Sequence, residues 1–254
     1  MDDAEPLPPA IPAATLVLMR DREHGPPEIL MTERHSEMVF AAGALVFPGG
    51  RIDPQDEAAA AEFPGFIDAE ARIAAIRETI EETGIVPAVA PVASDEDAAM
   101  VRAELAGGAA LSDALAKRGL VLQLGALTPF ARWKPNFRET RRFDTLFFIA
   151  EAEADAAEAE LAEAEAVRSL WASAAEILAE IEAGRAHAIF PTRRNLERLA
   201  RFGSIDEARA DAARHPVEMI TPWVEQRGGV PHVCIPAGIG YPVTAEPLET
   251  ARRR

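Results

Sequence analysis

The 254-residue sequence has one cysteine, Cys234. A lone cysteine excludes an intrachain disulfide, and with it a small stapled secreted scaffold. Long apolar runs are missing: no window reaches the roughly 18 consecutive apolar residues that a membrane span needs. The acidic, Pro-rich residues 1–12 lack the basic, apolar, then small-residue order of a signal peptide,. The terminal Arg252-Arg253-Arg254 matches no common address signal, so a cytoplasmic location is expected,. Basic residues are scarce, 26 against 42 acidic ones, for a net charge of -16. Nucleic acid and anionic membrane are polyanions that need a cationic footprint, so neither is an expected partner. There is no P-loop lysine motif, no dinucleotide-binding glycine fingerprint and no zinc motif among the histidines.

What is present is ordinary globular material, 48% hydrophobic and 27% charged,. Period and punctuation predict strands over residues 15–20 and 28–32, with a His24-Gly25-Pro26-Pro27 turn between them,. A short apolar run over 44–47 ends at Pro48-Gly49-Gly50. A helix is predicted over 68–83, with Asp68 as its N-cap and Gly84 at its end,. Buried strands are predicted over 120–127 and 143–150, and helices over 95–105, 173–183 and 192–202, the last capped by Thr192,. Interleaved strands and helices imply a layered α/β (α+β) domain. Residues 151–182 hold ten acidic residues and one basic one, and are expected to form a solvated acidic face,.

The segment Arg77-Glu78-Thr79-Ile80-Glu81-Glu82-Thr83-Gly84 carries the most chemistry. On a helix, Glu78, Glu81 and Glu82 stand at i, i+3 and i+4 and share one face, beside a buried face marked by Ile73, Ile76 and Ile80,. Like charges at this spacing repel, and burial would raise their pKa values. A hard divalent cation such as Mg²⁺ relieves both, since it takes oxygen ligands and keeps several waters. The plain alternative is a solvated helix face with Arg77 as local counter-charge. Phe47-Pro48-Gly49-Gly50 upstream brings bare backbone that can approach a metal or phosphate closely,.

These residues resemble the Nudix hydrolase box: Gly, five residues, Glu, seven residues, then Arg-Glu-apolar-any-Glu-Glu-any-Gly-apolar. Residues 77–85 match every fixed polar position, with Thr79 at the apolar one, and Gly50 opens the box. The Gly50 to Arg77 distance is thirteen residues longer than the pattern. Counted back from Arg77, the separate Glu falls on Ala69, with Glu70 and Glu57 nearby. Leu30-Met31-Thr32-Glu33-Arg34-His35, Gly43 and Phe47-Pro48-Gly49-Gly50 further resemble the coenzyme A diphosphatases of that family. His35 replaces a small residue of their pattern, and Val39 replaces its second Arg. The split box, followed by 141–145 and 190–192, is similar to a long-insert branch of those enzymes.

The resemblance implies a mixed β-sheet sandwiched between α-helices. It implies hydrolysis of a diphosphate linkage with Mg²⁺ or Mn²⁺ held by Glu78, Glu81, Glu82 and the Gly49 carbonyl. Glu78 or Glu82 would serve the chemistry, with Glu165 a weaker candidate base, and Arg77 would orient the carboxylates. Arg34, Gly50, Arg141 and Arg142 are expected to bind substrate. Lys134 and Arg138 extend that basic patch, and Arg193, Arg194 and Arg198 permit the same argument. Coenzyme A or acyl-coenzyme A is the leading substrate. ADP-ribose or a dinucleotide is the alternative within the enzyme class, and a non-catalytic ligand sensor is the alternative outside it. The implied organisation is a flexible segment over 1–11, the catalytic domain over 12–204 with inserts near 52–66 and 86–119, and a loop-rich extension over 205–254 packed on it. Homodimerisation is left open. Core packing is expected for Trp133, Trp171 and Trp223, and a buried, inert thiol for Cys234.

Overall fold

The structure is a computed structural model and describes residues 9–35, 41–135, 142–153 and 166–252. In chain order the first elements are β1 (Ile11–Arg20), β2 (Glu28–Arg34), β3 (Leu45–Val46), β4 (Gly49–Arg51), α1 (Pro54–Ala60) and α2 (Ala69–Thr83). Next come β5 (Val89–Ala90), α3 (Asp95–Ala106), α4 (Leu111–Ala116), β6 (Val121–Leu122), β7 (Thr128–Trp133) and β8 (Phe143–Glu151). Then follow β9 (Ala166–Ser173), α5 (Ala174–Glu182), α6 (Phe190–Leu199) and α7 (Ile205–Arg214). The chain continues with β10 (Met219–Ile220), β11 (Trp223–Arg227), β12 (Val230–Cys234), β13 (Ala245–Pro247) and α8 (Leu248–Arg252).

Strand β1 is the middle of the molecule. It pairs parallel with β8 along nine residues and antiparallel with β2 and β4. The main sheet runs β10-β7-β8-β1-β2-β3, with β9 also on β2. The sheet is mixed, because β7–β10 is parallel as well and the remaining pairs are antiparallel. Alternation along β1 divides the core in two. Ala14, Leu16 and Leu18 face one cluster with α2, α3 and α4. Val17 and Met19 face the other, with α5, α6 and α7. Period 2 on a strand buried on both faces therefore produces the expected helix–sheet–helix sandwich.

Helix α2 forms where its Ile73, Ile76 and Ile80 stripe meets the sheet, all three fully buried,. Gly84 closes it at φ 73°, donating to the Ile80 carbonyl at 2.8 Å,. Asp68 holds the N-cap position in the left-handed region (φ 57°), but its side chain makes no capping bond. Three further expectations are corrected. The apolar run at 120–127 is strand only over β6; a 3₁₀ turn follows at Leu124–Ala126. There the buried Arg72 takes the carbonyls of Leu124 (2.7 Å) and Leu127 (2.5 Å), which satisfies that backbone without a ladder,. Helix α6 begins at Phe190, not at a Thr192 cap, because Pro191 is preset for the first turn,. The acidic stretch at 151–182 contains β9, which pairs with β2 and packs Leu170, Trp171 and Ala172 against the core, and so is not a solvated face throughout.

Both inserted stretches carry structure. The first contains α1; the second contains α3 and α4, whose Val101, Leu105, Leu111 and Leu115 join the α2 core. Beyond residue 204, α7 lies on the sheet, β10 extends it, and β11-β12-β13 form a separate small sheet. No helix among the described residues is long and apolar enough to cross a membrane.

Candidate active site

The α2 face carries three carboxylates at increasing depth. The Glu81 side chain is the most open (34%), Glu78 is mostly buried, and Glu82 is buried. Arg77, 7% exposed, lies among them. Its Nη1 donates to Glu78 Oε1 (3.0 Å) and Glu81 Oε2 (3.1 Å). Its Nε and Nη2 grip Asp56 of α1, at 3.0 Å to Oδ1 and 2.9 Å to Oδ2, and Nη2 also donates to the Arg51 carbonyl at 2.9 Å. Burial pulls the guanidinium down, but Asp56, Glu78 and Glu81 outweigh it and leave Arg77 above its ordinary value,. Arg77 thus stays cationic and fixes two carboxylates from one side.

Asp56 was missed when the box was counted back from Arg77. Counted forward from Gly50, it stands at the position where the family pattern has Glu. It is 1% exposed and also accepts from the Asp53 N–H (2.9 Å), closing the first turn of α1. The thirteen extra residues therefore fall after Asp56, and the chain returns to Arg77 across them. The forward spacing from Gly50 was the signal that would have found it.

Strand β4 delivers the glycines. Leu16 N–H donates to the Pro48 carbonyl and Ile52 N–H to the Pro12 carbonyl, so the intervening ladder turns Gly49 away from β1,. There the Gly49 N–H meets Glu82 Oε2 at 3.4 Å. Gly49 has φ 156°, and a Cβ on it would strike the Ala14 carbonyl at 2.5 Å,. A Cβ on Gly50 would lie inside the Glu78 carboxylate. The absent side chains let α2 press its carboxylates against bare backbone.

Among the described residues, no three His, Cys, Asp or Glu side chains are gathered as a metal site. Glu78 and Glu81 are turned to Arg77 instead. The donor set nevertheless suits a hard divalent ion: three carboxylates and a backbone carbonyl, all oxygen, on a helix face pressed against a Gly-Gly backbone that leaves no room for a side chain,.

The other candidate residues lie elsewhere or in other bonds. Arg34 ends β2, and its Nε is buried with no hydrogen-bond partner among the described residues. Arg142 precedes β8 and donates to the Pro135 carbonyl at 3.3 Å. Arg138, Arg141 and Glu165, together with Val39, lie outside the described residues. Lys134 pairs with Asp144 (3.2 Å), which also binds Arg132 (2.8 Å). The Arg132 hydrogen bond, against burial, keeps Asp144 below the usual carboxylate range. Arg194 and Arg198 are corrected outright as phosphate contacts: at 1% and 2% side-chain exposure they are internal, paired with Glu197, Glu246 and Asp211. Trp133 is buried, but Trp223 is exposed, against expectation. Cys234 is buried, which raises its thiol pKa.

A sheet between two helical layers, with a carboxylate helix over a Gly-Gly strand, defines a class, and the comparisons supply its name. The NUDIX domain model matches residues 10–103. A NUDIX hydrolase from Alicyclobacillus acidocaldarius is similar at 32% identity, covering 80% of this chain and 96% of its own, with a TM-score of 0.69. A MutT protein from Methanosarcina mazei Go1 is more distantly similar, at 18% identity over 76% of this chain and 94% of its own, with a TM-score of 0.45. None of the curated proteins matches. The chain belongs to the Nudix hydrolase family. It is a pyrophosphohydrolase of nucleoside diphosphate derivatives, a class of enzyme that uses divalent metal ions.

Proposed function

We propose that this hydrolase cleaves the diphosphate linkage of coenzyme A or acyl-coenzyme A, giving 3′,5′-ADP and 4′-phosphopantetheine or its acyl form. The observation that carries this reading is the run Leu30-Met31-Thr32-Glu33-Arg34, Gly43 and Phe47-Pro48-Gly49-Gly50, which spans β2, β3 and β4 and leads into the carboxylate face. The buried Nε of Arg34, without a hydrogen-bond partner among the described residues, adds to it, since a desolvated guanidinium donor needs an acceptor such as phosphate oxygen,. Arg142 and Arg141 are the further phosphate contacts, and Gly50 lets the substrate approach backbone. Residues 12–204 form the catalytic domain with 205–254 packed on it, working in the cytoplasm.

Glu78, Glu81, Glu82 and the Gly49 carbonyl would hold Mg²⁺ or Mn²⁺, which when bound would screen the diphosphate charge and make water a better nucleophile near neutral pH. Arg77 holds Glu78 and Glu81 side by side through its Nη1 hydrogen bonds. Glu78 accepts the proton of the attacking water, and Glu82, anchored by the Gly49 N–H, stays fixed as that proton moves,.

The test incubates the protein and its Glu82→Gln variant with Mg²⁺ or Mn²⁺ and coenzyme A, ADP-ribose or a dinucleotide, and separates the products by chromatography. Release of 3′,5′-ADP from coenzyme A, lowered about a hundredfold or more in the variant, is the expected result. Turnover of ADP-ribose or the dinucleotide alone would overturn the substrate. No turnover of any compound would favour a ligand sensor, and an unimpaired variant would remove Glu82 from the site.

A further inference from the structure

Strand β11 is the outer strand of the small sheet, and its far edge pairs with no strand among the described residues. It is joined to β12 through Gly228-Gly229, both at positive φ (58° and 81°), the two-residue turn that suits a tight hairpin,. In such a hairpin the residues flanking the turn, Arg227 and Val230, exchange both backbone hydrogen bonds, and every second pair does the same,. Arg227, Glu225 and Trp223 therefore direct their backbone groups at β12. Val224 and Gln226 direct theirs at the open edge. Pro231 fits this parity: it stands opposite Gln226, where no hydrogen bond crosses to β11,. Trp223, Val224 and Val230 are large, apolar and exposed on this hairpin, which marks a contact surface and not a protected edge,.

We propose that this edge binds the same edge of a second copy of the chain, antiparallel about a two-fold axis at Gln226. Parity and charge select that register. Centred on Gln226, the edge forms backbone pairs between Gln226 and the partner's Gln226, and between Val224 and the partner's Gly228 on each side. Each Glu225 then faces the partner's Arg227 in a non-hydrogen-bonded pair, where side chains come closest. Centred on Glu225, the two glutamates would oppose each other, which is destabilising. Centred on Val224, Pro222 would face Gln226 without an N–H to give. The charged row is ordered before docking, since Glu225 already accepts from Trp223 Nε1 (3.1 Å) and Arg227 Nε (2.8 Å). The small sheet would continue from one copy into the other, a symmetric and self-complementary contact.

Sedimentation velocity on the full chain over a concentration series tests this, with circular dichroism confirming that each variant is folded. The wild type is expected to dimerise. Gln226→Pro removes an edge N–H without taking a hydrogen bond from β12 and is expected to raise the dimer dissociation constant at least tenfold or so,. Glu225→Arg should do the same, and Glu225→Arg with Arg227→Glu should restore the dimer. A monomer at every concentration would overturn the proposal, as would a dimer that neither single variant weakens. A dimer weakened by Gln226→Pro but not restored by the charge exchange would overturn the register.

Discussion

Arg77 collects acceptors from three parts of the chain: Asp56, the Arg51 carbonyl, and the Glu78–Glu81 pair. Removing one partner of a buried pair leaves an uncompensated charge, at a cost of about 3–5 kcal/mol. Asp56→Ala is therefore expected to lose stability of that order in urea denaturation, and to lose turnover because Glu78 and Glu81 lose their common anchor. An unchanged midpoint would mean that Asp56 does not hold Arg77. Gly50→Ala should separate the two effects. Its Cβ must displace the Glu78 carboxylate, so turnover should fall at least tenfold or so, while the thermal midpoint drops less than in Asp56→Ala,. The three glutamates were legible because helical spacing alone puts them on one face. Asp56 was not, because the contact closes over residues 57–76 and the count ran across that loop from the wrong end. Burial of Arg194 and Arg198 was equally hidden: an arginine's sequence does not say whether its partners, here Glu246 and Asp211, come from far along the chain.

Among the elements, those with strong local signals were legible and those defined by distant partners were not. Helix α2 has its apolar stripe and its glycine stop, and α5 has Ser173 before it. Strand β9 was hidden in an acidic stretch, since what makes it a strand is the open flank of β2. Helix α5 also carries a test of pH. Ser173 and Glu176 form a capping box, and Glu176 binds Arg22 as well. Hydrogen bonds from Arg22 and then Ser173 lower the Glu176 pKa from 4.5 to about 2. A depressed folded-state pKa gives stability that is complete above the unfolded value and is lost as pH falls from 4.5 toward 2,. Glu176 is more than half exposed, so the effect is screened to about 1 kcal/mol or less,. The thermal midpoint of Glu176→Gln should lie below the wild type near neutral pH, and the gap should narrow below pH 4.5 and close near pH 2,. A gap that persists in acid would contradict the capping role.

At the scale of the whole molecule, α6 fastens the chain beyond residue 204 to the sheet. Arg194 holds Glu246, Asn195 accepts from the Tyr241 hydroxyl (2.6 Å), and Arg198 holds Asp211 (2.9 Å) while donating to the Phe130 carbonyl. Trp133 on β7 joins the same group by donating to Tyr241 (3.1 Å). Burial lowers the Arg194 guanidinium and raises the Glu197 carboxyl, the sign of ions held out of water for their geometry,. Arg198→Leu should cost up to about 3–5 kcal/mol, because Asp211 keeps only the more exposed Arg214 (3.7 Å) and His215 (3.3 Å), and Arg198→Leu with Asp211→Leu should cost markedly less,. Denaturant titration of both variants checks this; equal losses would show that the pair is not coupled. The net charge of -16 belongs to this scale too. It excludes polyanion partners, yet part of it is the Glu78, Glu81 and Glu82 cluster, which suits a cation that can in turn meet phosphate.

The loop between Asp56 and Arg77 shows how tolerant such a site is to changes in chain length. The family pattern closes it with seven residues, and here twenty intervene. Loop-closure entropy grows only logarithmically, so the extension costs about 0.9 kcal/mol, less than the loss of about 3–5 kcal/mol expected on breaking the Asp56–Arg77 pair that closes it. In this chain the motif is therefore met as a shape and not as a string. A further extension at the exposed Phe66 and Ile67 should leave the carboxylate face intact, which makes that loop a natural port for a tag, a reporter or a grafted recognition segment,.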